Sequence, residues 1–300
     1  MNVKKNKNLF RGLVLICLIA LVLCGCGKGV EYGLEQNIKE LASSVLEETP
    51  EASVGSVNGE WAVLGLSRSG YNVPDDYFDI YYDNVRAYVK SNKGILSEDT
   101  YTEYSRVVLA LAEIGKGPKD VEGYDIVSPL NDFDKVIEQG INGPAYALIA
   151  ADSAGIKLKK EQDYIDYILK NELTSGGYSF SKKFDAGITA MVIQALAPYS
   201  NKEMVAETID RSFDALGRAQ NEDGTFEGGS ETAGQVILAL CSMGRDPLTD
   251  EQFIKNNNSI YDTLMSYKVD GGLAHEKGEG KNVMATEQGL YAVTAIKLNE

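Results

Sequence analysis

Few side chains in this 300-residue sequence can do chemistry. His275 is the single histidine, and of the four cysteines only Cys241 lies beyond the apolar N-terminal segment. One histidine and one distant thiol cannot supply the three or four ligands of a zinc site, so no metal is expected. His275 reads as a solvated loop residue, which leaves no Ser-His-Asp triad. Cys241 ends the run Leu238-Ala239-Leu240 and reads as a small buried hydrophobe. Carboxylates, amides and aromatics remain. Glu60 and Trp61, Tyr104 and Arg106, Asn142, Asp185, Glu231 and Gln235, and Glu287 and Gln288 all stand at the starts of apolar runs. Two of these carboxyls facing one another could act as general acid and base in an inverting glycosidase, with Asp185, Glu231 and Glu287 as candidates. The plainer expectation is that they cap helices and satisfy loop amides. Trp61, the only tryptophan, reads as core with a possible edge at a binding site.

Two kinds of segment must position these groups. Leu34, Ile38, Leu41 and Val45 form one stripe between charged residues, as do Ile165, Ile168 and Leu169, which predicts amphipathic helices. Val107–Ala112, Ala145–Ala150, Met191–Leu196 and Val236–Leu240 are apolar on nearly every side, which predicts enclosed helices. Small residues mark the centres of six such helices: Gly65, Ala110, Ala147, Ala195, Ala239 and Ala292. Their loose, regular recurrence predicts an internal repeat of helical hairpins, one amphipathic and one enclosed helix per unit. Gly176-Gly177-Tyr178, Gly224-Thr225-Phe226 and Gly271-Gly272-Leu273 recur ahead of the last three enclosed helices, where the bulky third residue would plug between hairpins. No Asn-Gly or Asp-Gly pair is expected to join two strands. The first and last units are as apolar as the middle ones, which favours a closed ring over an open solenoid with polar ends. The predicted fold is all-α, a closed α/α toroid of six hairpins with inner and outer helices.

A formal charge of −15 argues against a nucleic-acid partner. Lys4, Lys5, Lys7 and Arg11 flank a short apolar run from Gly12 to Leu23, the pattern of a secretory signal; a single anchoring helix is the alternative. Leu23-Cys24-Gly25-Cys26 resembles a bacterial lipobox, in which cleavage precedes an acylated cysteine. That implies a signal peptide over 1–25, lipidation of Cys26, a linker over 26–33 and a toroid over 34–300. The expected location is extracytoplasmic, on the membrane of a bacterium, with the lipid as the membrane contact. Cys241 would then have no disulfide partner, and stability would come from core burial.

Glu60-Trp61-Ala62-Val63-Leu64-Gly65-Leu66, Tyr104-Ser105-Arg106-Val107-Val108-Leu109-Ala110-Leu111 and Gln139-Gly140-Ile141-Asn142-Gly143-Pro144-Ala145-Tyr146 resemble bacterial surface proteins with prenyltransferase and squalene-oxidase-type repeats. Gln220-Asn221-Glu222-Asp223-Gly224-Thr225-Phe226 and Gly271-Gly272-Leu273 are similar to the glycine-aromatic motif of the wider terpenoid cyclase and protein prenyltransferase superfamily. The resemblance runs from about Leu34 to the C-terminus and implies the ring of paired helices. It says little about activity, because that ring hosts unrelated functions.

The superfamily's catalytic sets are missing. Ala285 stands where prenyltransferase β-subunits place a zinc-binding histidine. Asp132-Phe133-Asp134-Lys135 ends in lysine where class II cyclases need a third acid, and Glu287-Gln288 lacks the upstream cysteine of a thioester. Asp75-Asp76-Tyr77-Phe78-Asp79 has the Asp-Asp-x-x-Asp spacing that holds magnesium on a diphosphate, but it follows Pro74 and opens a helix, where acids cap free N–H groups. Cobalamin carriers in the superfamily add a β domain to the ring, whereas this sequence stops after its last helix; corrinoid binding is therefore open but not favoured. The expected function is non-catalytic binding of a small molecule or partner protein at the cavity mouth. The alternatives are a carbohydrate-active or isoprenoid-type enzyme using the cavity carboxylates, or a structural surface protein whose cavity is filled by its own side chains.

Overall fold

The computed structural model describes residues 33–180 and 183–299; the expected signal segment, Cys26 and most of the linker lie outside the described residues. Two series of helices alternate along the chain. The odd-numbered series is α1 (residues 33–48), α3 (Tyr77–Ser91), α5 (Phe133–Ile137), α7 (Glu161–Lys170), α9 (Glu203–Ala219) and α11 (Ile260–Met265). The even-numbered series is α2 (Trp61–Ser69), α4 (Thr102–Glu113), α6 (Asn142–Ser153), α8 (Ala186–Leu196), α10 (Gly229–Ser242) and α12 (Val283–Asn299). The protein is all-α apart from one small sheet. Among the described residues no helix is long and apolar enough to cross a membrane.

Hydrophobic pattern explains the alternation. In α3, Tyr77, Tyr81, Val85 and Val89 recur every fourth residue and are buried, while the opposite face carries Asp79, Asp83, Arg86 and Lys90. The even-numbered helices are buried nearly all round, and the six predicted small centres each fall inside one of them. Each fully buried aliphatic side chain there contributes about 1.5–3 kcal/mol. Tyrosines of the odd series reach inward and donate to loop carbonyls, Tyr77 to Thr49 O (3.0 Å) and Tyr164 to Leu130 O (2.8 Å). Their rings thus add apolar burial without stranding a hydroxyl.

The even-numbered helices pack on one another in chain order, and α12 packs back on α2. Small residues allow that last contact, since a Cβ at Gly65 of α2 would stand 3.0 Å from the Leu290 side chain of α12. The leading, N-terminal ends of the series meet as neighbours. Thr102 N–H donates to Gln139 Oε1, a Cβ at Gly140 would stand 3.9 Å from the Phe180 ring, and Ser230 N–H donates to His275 O.

A device repeats at two of these ends and in part at a third. Thr189 Oγ1 accepts from Tyr178 N–H (2.9 Å) and donates to Asp185 O (2.7 Å), while the Asp185 carboxylate accepts from Ile188 N–H (2.9 Å). Thr286, Leu273 and Asn282 reproduce the set before α12, Asn282 accepting from Ala285 N–H. Thr232 donates to Gly228 O before α10, where glycine replaces the capping side chain. The third residues of the glycine motifs, Tyr178, Phe226 and Leu273, are buried as expected.

Two expectations are corrected. Asp270-Gly271 does join two strands: β1 (Lys268–Val269), β2 (Gly272–Ala274) and β3 (Lys281–Asn282) form an antiparallel sheet in the order β1-β2-β3. Asp270 (φ 47°) and Gly271 (φ 79°) both take positive φ, as a tight hairpin turn requires. Strands of two or three residues are too short for alternation to reveal them. Asp76 precedes α3 without a side-chain capping bond, and Asp79 instead pairs with Lys116 Nζ at 2.9 Å.

Candidate functional site

The axis between the even-numbered helices is filled. Trp61, Leu109, Tyr146, Ile149, Met191, Gln194, Gln235, Leu238 and Tyr291, drawn from all six helices, leave a void of about 10 Å³. That is room for one water at most. Trp61 packs obliquely against Tyr146 and Tyr291, with centroids 6.4 and 6.0 Å away. Gln194 Nε2 donates to Gln235 Oε1 at 2.9 Å, which joins the two amides. Further along α2, Arg68 pairs with Glu113 and lies 4.7 Å above the Tyr291 ring.

The leading ends of α12, α2 and α4 hold a sealed charge cluster. Glu60 and Glu287 are both 0% exposed. Glu60 Oε1 accepts from Gly55 N–H (3.0 Å) and Tyr81 Oη (3.3 Å), and its Oε2 stands 3.6 Å from Arg106 Nε. Arg106 is tied through Nη2 to Glu103. Glu287 Oε1 accepts from Asn58 N–H (3.1 Å) and lies 3.2 Å from Thr49 Oγ1, which also donates to Asn58 Oδ1 (2.9 Å). Loss of hydration pushes both carboxyls up to about 7. Gly55 N–H and Arg106 oppose that rise at Glu60, as Asn58 N–H and Thr49 do at Glu287, while the negative charge of Glu60 adds to it there. Glu60 Oε2, Glu287 Oε2, Arg106 Nε and the nearby Asn142 Oδ1 are buried without a hydrogen-bond partner among the described residues.

The other side of the same end is open. Lys183, Phe184, Asp185, Ala186, Ala219, Glu227, Gly228 and Thr232 line a recess of about 390 Å³ between α8 and α10. Lys183 Nζ bridges to Glu227 at 2.7 Å on its rim. Next to it, Glu231 Oε2 lies 2.8 Å from His275 Nδ1 and also takes the Ser230 hydroxyl. Glu231 holds the imidazole above the usual histidine range. His275 is therefore a partner of a mouth carboxylate as well as a loop residue.

The structure brings Glu60, Arg106 and Glu287 into one cluster, with Trp61 against it, and places Gln235 in the axis. Asp185 is exposed and spent on its cap, and Glu231 is spent on His275. Tyr104 is turned away, its hydroxyl accepting from Leu96 N–H and donating to Ser97 O. Gln288 is half-buried beside Glu287. Thr49, Asn58, Tyr81 and Glu103 belong to the cluster and were missing from the sequence-level set. The pair Asn58-Gly59 ahead of an apolar run is a turn signal for Asn58 alone. Cys241 is half-buried, and loss of hydration pushes its thiol up to about 12, which leaves it un-ionised and inert. Among the described residues no group of three or more His, Cys, Asp or Glu side chains is placed to hold a metal ion. No protein-family model matches this chain, and no curated protein matches it.

Proposed function

We propose that the chain is a lipid-anchored, extracytoplasmic α/α toroid, non-catalytic, which binds a small ligand or partner protein at the end where its even-numbered helices begin. Return of α12 onto α2 supports closure of the ring. The observation that carries the binding reading is the recess of about 390 Å³ between α8 and α10, on a body whose axis is filled by its own side chains. A recess of that size falls within the range of small-molecule sites and joins an aromatic face, Phe184, to polar groups at Asp185 and Thr232. The hydrolase alternative draws less support. Inverting chemistry needs two carboxyls across a cleft that admits water, whereas Glu60 and Glu287 are sealed and Asp185 and Glu231 are engaged.

A thermal-shift screen of the full chain against corrinoids, isoprenoid lipids and oligosaccharides tests the binding reading. A stabilising compound should lose its effect in Ala219→Trp, which fills the recess from the last residue of α9. Failure of all three classes counts against small-molecule binding there. For the anchor, Cys26→Ser should abolish processing and lipid-dependent membrane partition; a processed, membrane-bound variant would defeat that reading.

A further inference from the structure

Residues 53–58 form a surface loop, with Val57 and Asn58 exposed, laid directly over two carboxyls that no water reaches. Those two carboxyls hold the loop from below. Gly55 N–H donates to Glu60 and Asn58 N–H to Glu287. Other contacts tie it as well: Ser53 N–H and Oγ donate to Asn58 O, Thr49 Oγ1 to Asn58 Oδ1, Glu60 N–H to Gly55 O and Trp61 Nε1 to Ser56 Oγ, while Val54 packs on the core. The loop fits tightly where it lands, because a Cβ at Gly59 would stand 2.5 Å from Ser53 O. Asn58 there takes left-handed backbone (φ 55°).

Each carboxyl keeps one oxygen without a hydrogen-bond partner among the described residues, and a buried ionised oxygen in that position costs far more than a neutral one. The charged and titratable groups facing the pair are few. Glu60 sees Arg106 and Glu103 from α4 and Tyr81 from α3; Glu287 sees Tyr77 from α3 and Glu60 from α2. Arg106 favours the ionised form of Glu60, while among the described residues no cation pairs with Glu287.

We propose that Glu60 and Glu287 make the 53–58 loop a proton-operated latch, closed while the two carboxyls hold their protons and released as they ionise and draw in water. The inference is independent of the binding reading, since it concerns the loop and not the α8–α10 recess. Linkage fixes its sign. The closed state holds the protons up to a pH of about 7, whereas an opened, hydrated glutamate releases its proton near the ordinary value of 4.5. Opening is therefore rarest in acid and grows as pH rises toward neutrality. The two titrations are coupled, since a negative charge on Glu60 holds back ionisation of Glu287.

Hydrogen exchange on the full chain tests the latch. Protection of the segment 53–60, corrected for intrinsic exchange, should fall between pH 5 and pH 7 by roughly tenfold per pH unit for each carboxyl, while the α9 segment stays unchanged. Glu287→Gln keeps the acceptor for Asn58 N–H and should retain about one carboxyl's share of that slope. The double variant with Glu60→Gln should lose the slope. Trp61 gives a second readout through its bond to Ser56: its fluorescence quenching by acrylamide should rise over the same pH range in the wild type and not in the double variant. Flat protection in the wild type, an unaltered slope in Glu287→Gln, or an equal loss of protection in α9 would each overturn the proposal.

Discussion

Where the even-numbered helices begin, the side running from α12 to α4 and the side between α8 and α10 are built alike and treat charge in opposite ways. Both place a carboxylate in the first turn or just ahead of it. On the α8–α10 side Asp185 and Glu231 stay in reach of water and bind one neighbour each. On the other side Glu60 and Glu287 are roofed by a loop, and only Glu60 has a guanidinium beside it. Burial, more than residue type, separates a cap from a proton store. The same glutamate chemistry that costs nothing at the rim becomes pH-dependent stability once hydration is removed.

Substitutions can break or sharpen that contrast. The largest effect is expected at Arg106, because its removal strands Glu60 in the interior. Arg106→Ala should cost about 3 kcal/mol in denaturant titrations at pH 8, and less at pH 5, where Glu60 keeps its proton. Next comes the pH dependence of the sealed carboxyls. Their raised values mean that stability is fully present below about 4.5 and is lost as pH rises to about 7. Glu287→Gln should therefore gain on the wild type by about 2–3 kcal/mol between pH 5 and pH 8, measured as the change in the difference between their unfolding free energies. On the open side, Asp185→Ala should cost about 1 kcal/mol, the worth of an N-cap, with little change across that pH range. Least of all, Lys183→Ala on the rim should move thermal stability by no more than about 0.5 kcal/mol, an exposed pair being largely screened. Equal pH slopes in Asp185→Ala and Glu287→Gln relative to the wild type would erase the distinction between the two sides.

The helical series was legible because its signals are local. An apolar helix enclosed on all sides carries its pattern within about a dozen residues, so Gly65, Ala110, Ala147, Ala195, Ala239 and Ala292 could be placed without knowing their neighbours. Asp185 was legible as a cap for the same reason. The hairpin at Asp270-Gly271 was not, since its strands are too brief to alternate. The sealed cluster was legible only in part. Glu60 and Glu287 could be named as leading-end carboxyls, but their partners Thr49, Asn58 and Tyr81 arrive from a loop and from α3, and the expectation that the first and last units meet does not say which side chains come together there. Raised carboxyl values follow from that meeting, so they too were invisible.

The meeting of α2 with α12 also sets an order of events at synthesis. Residue 65 of α2 leaves the ribosome long before its neighbour Leu290 of α12, an interval of roughly 10–50 s at ordinary elongation rates. Through that time α2 exposes the apolar face that α12 will cover, and Glu60, still hydrated, is ionised at neutral pH. Only the last helix completes the nucleus of the first, so a truncation that removes α12 should leave the nascent chain a client of chaperones from its N-terminal end, far from the lesion.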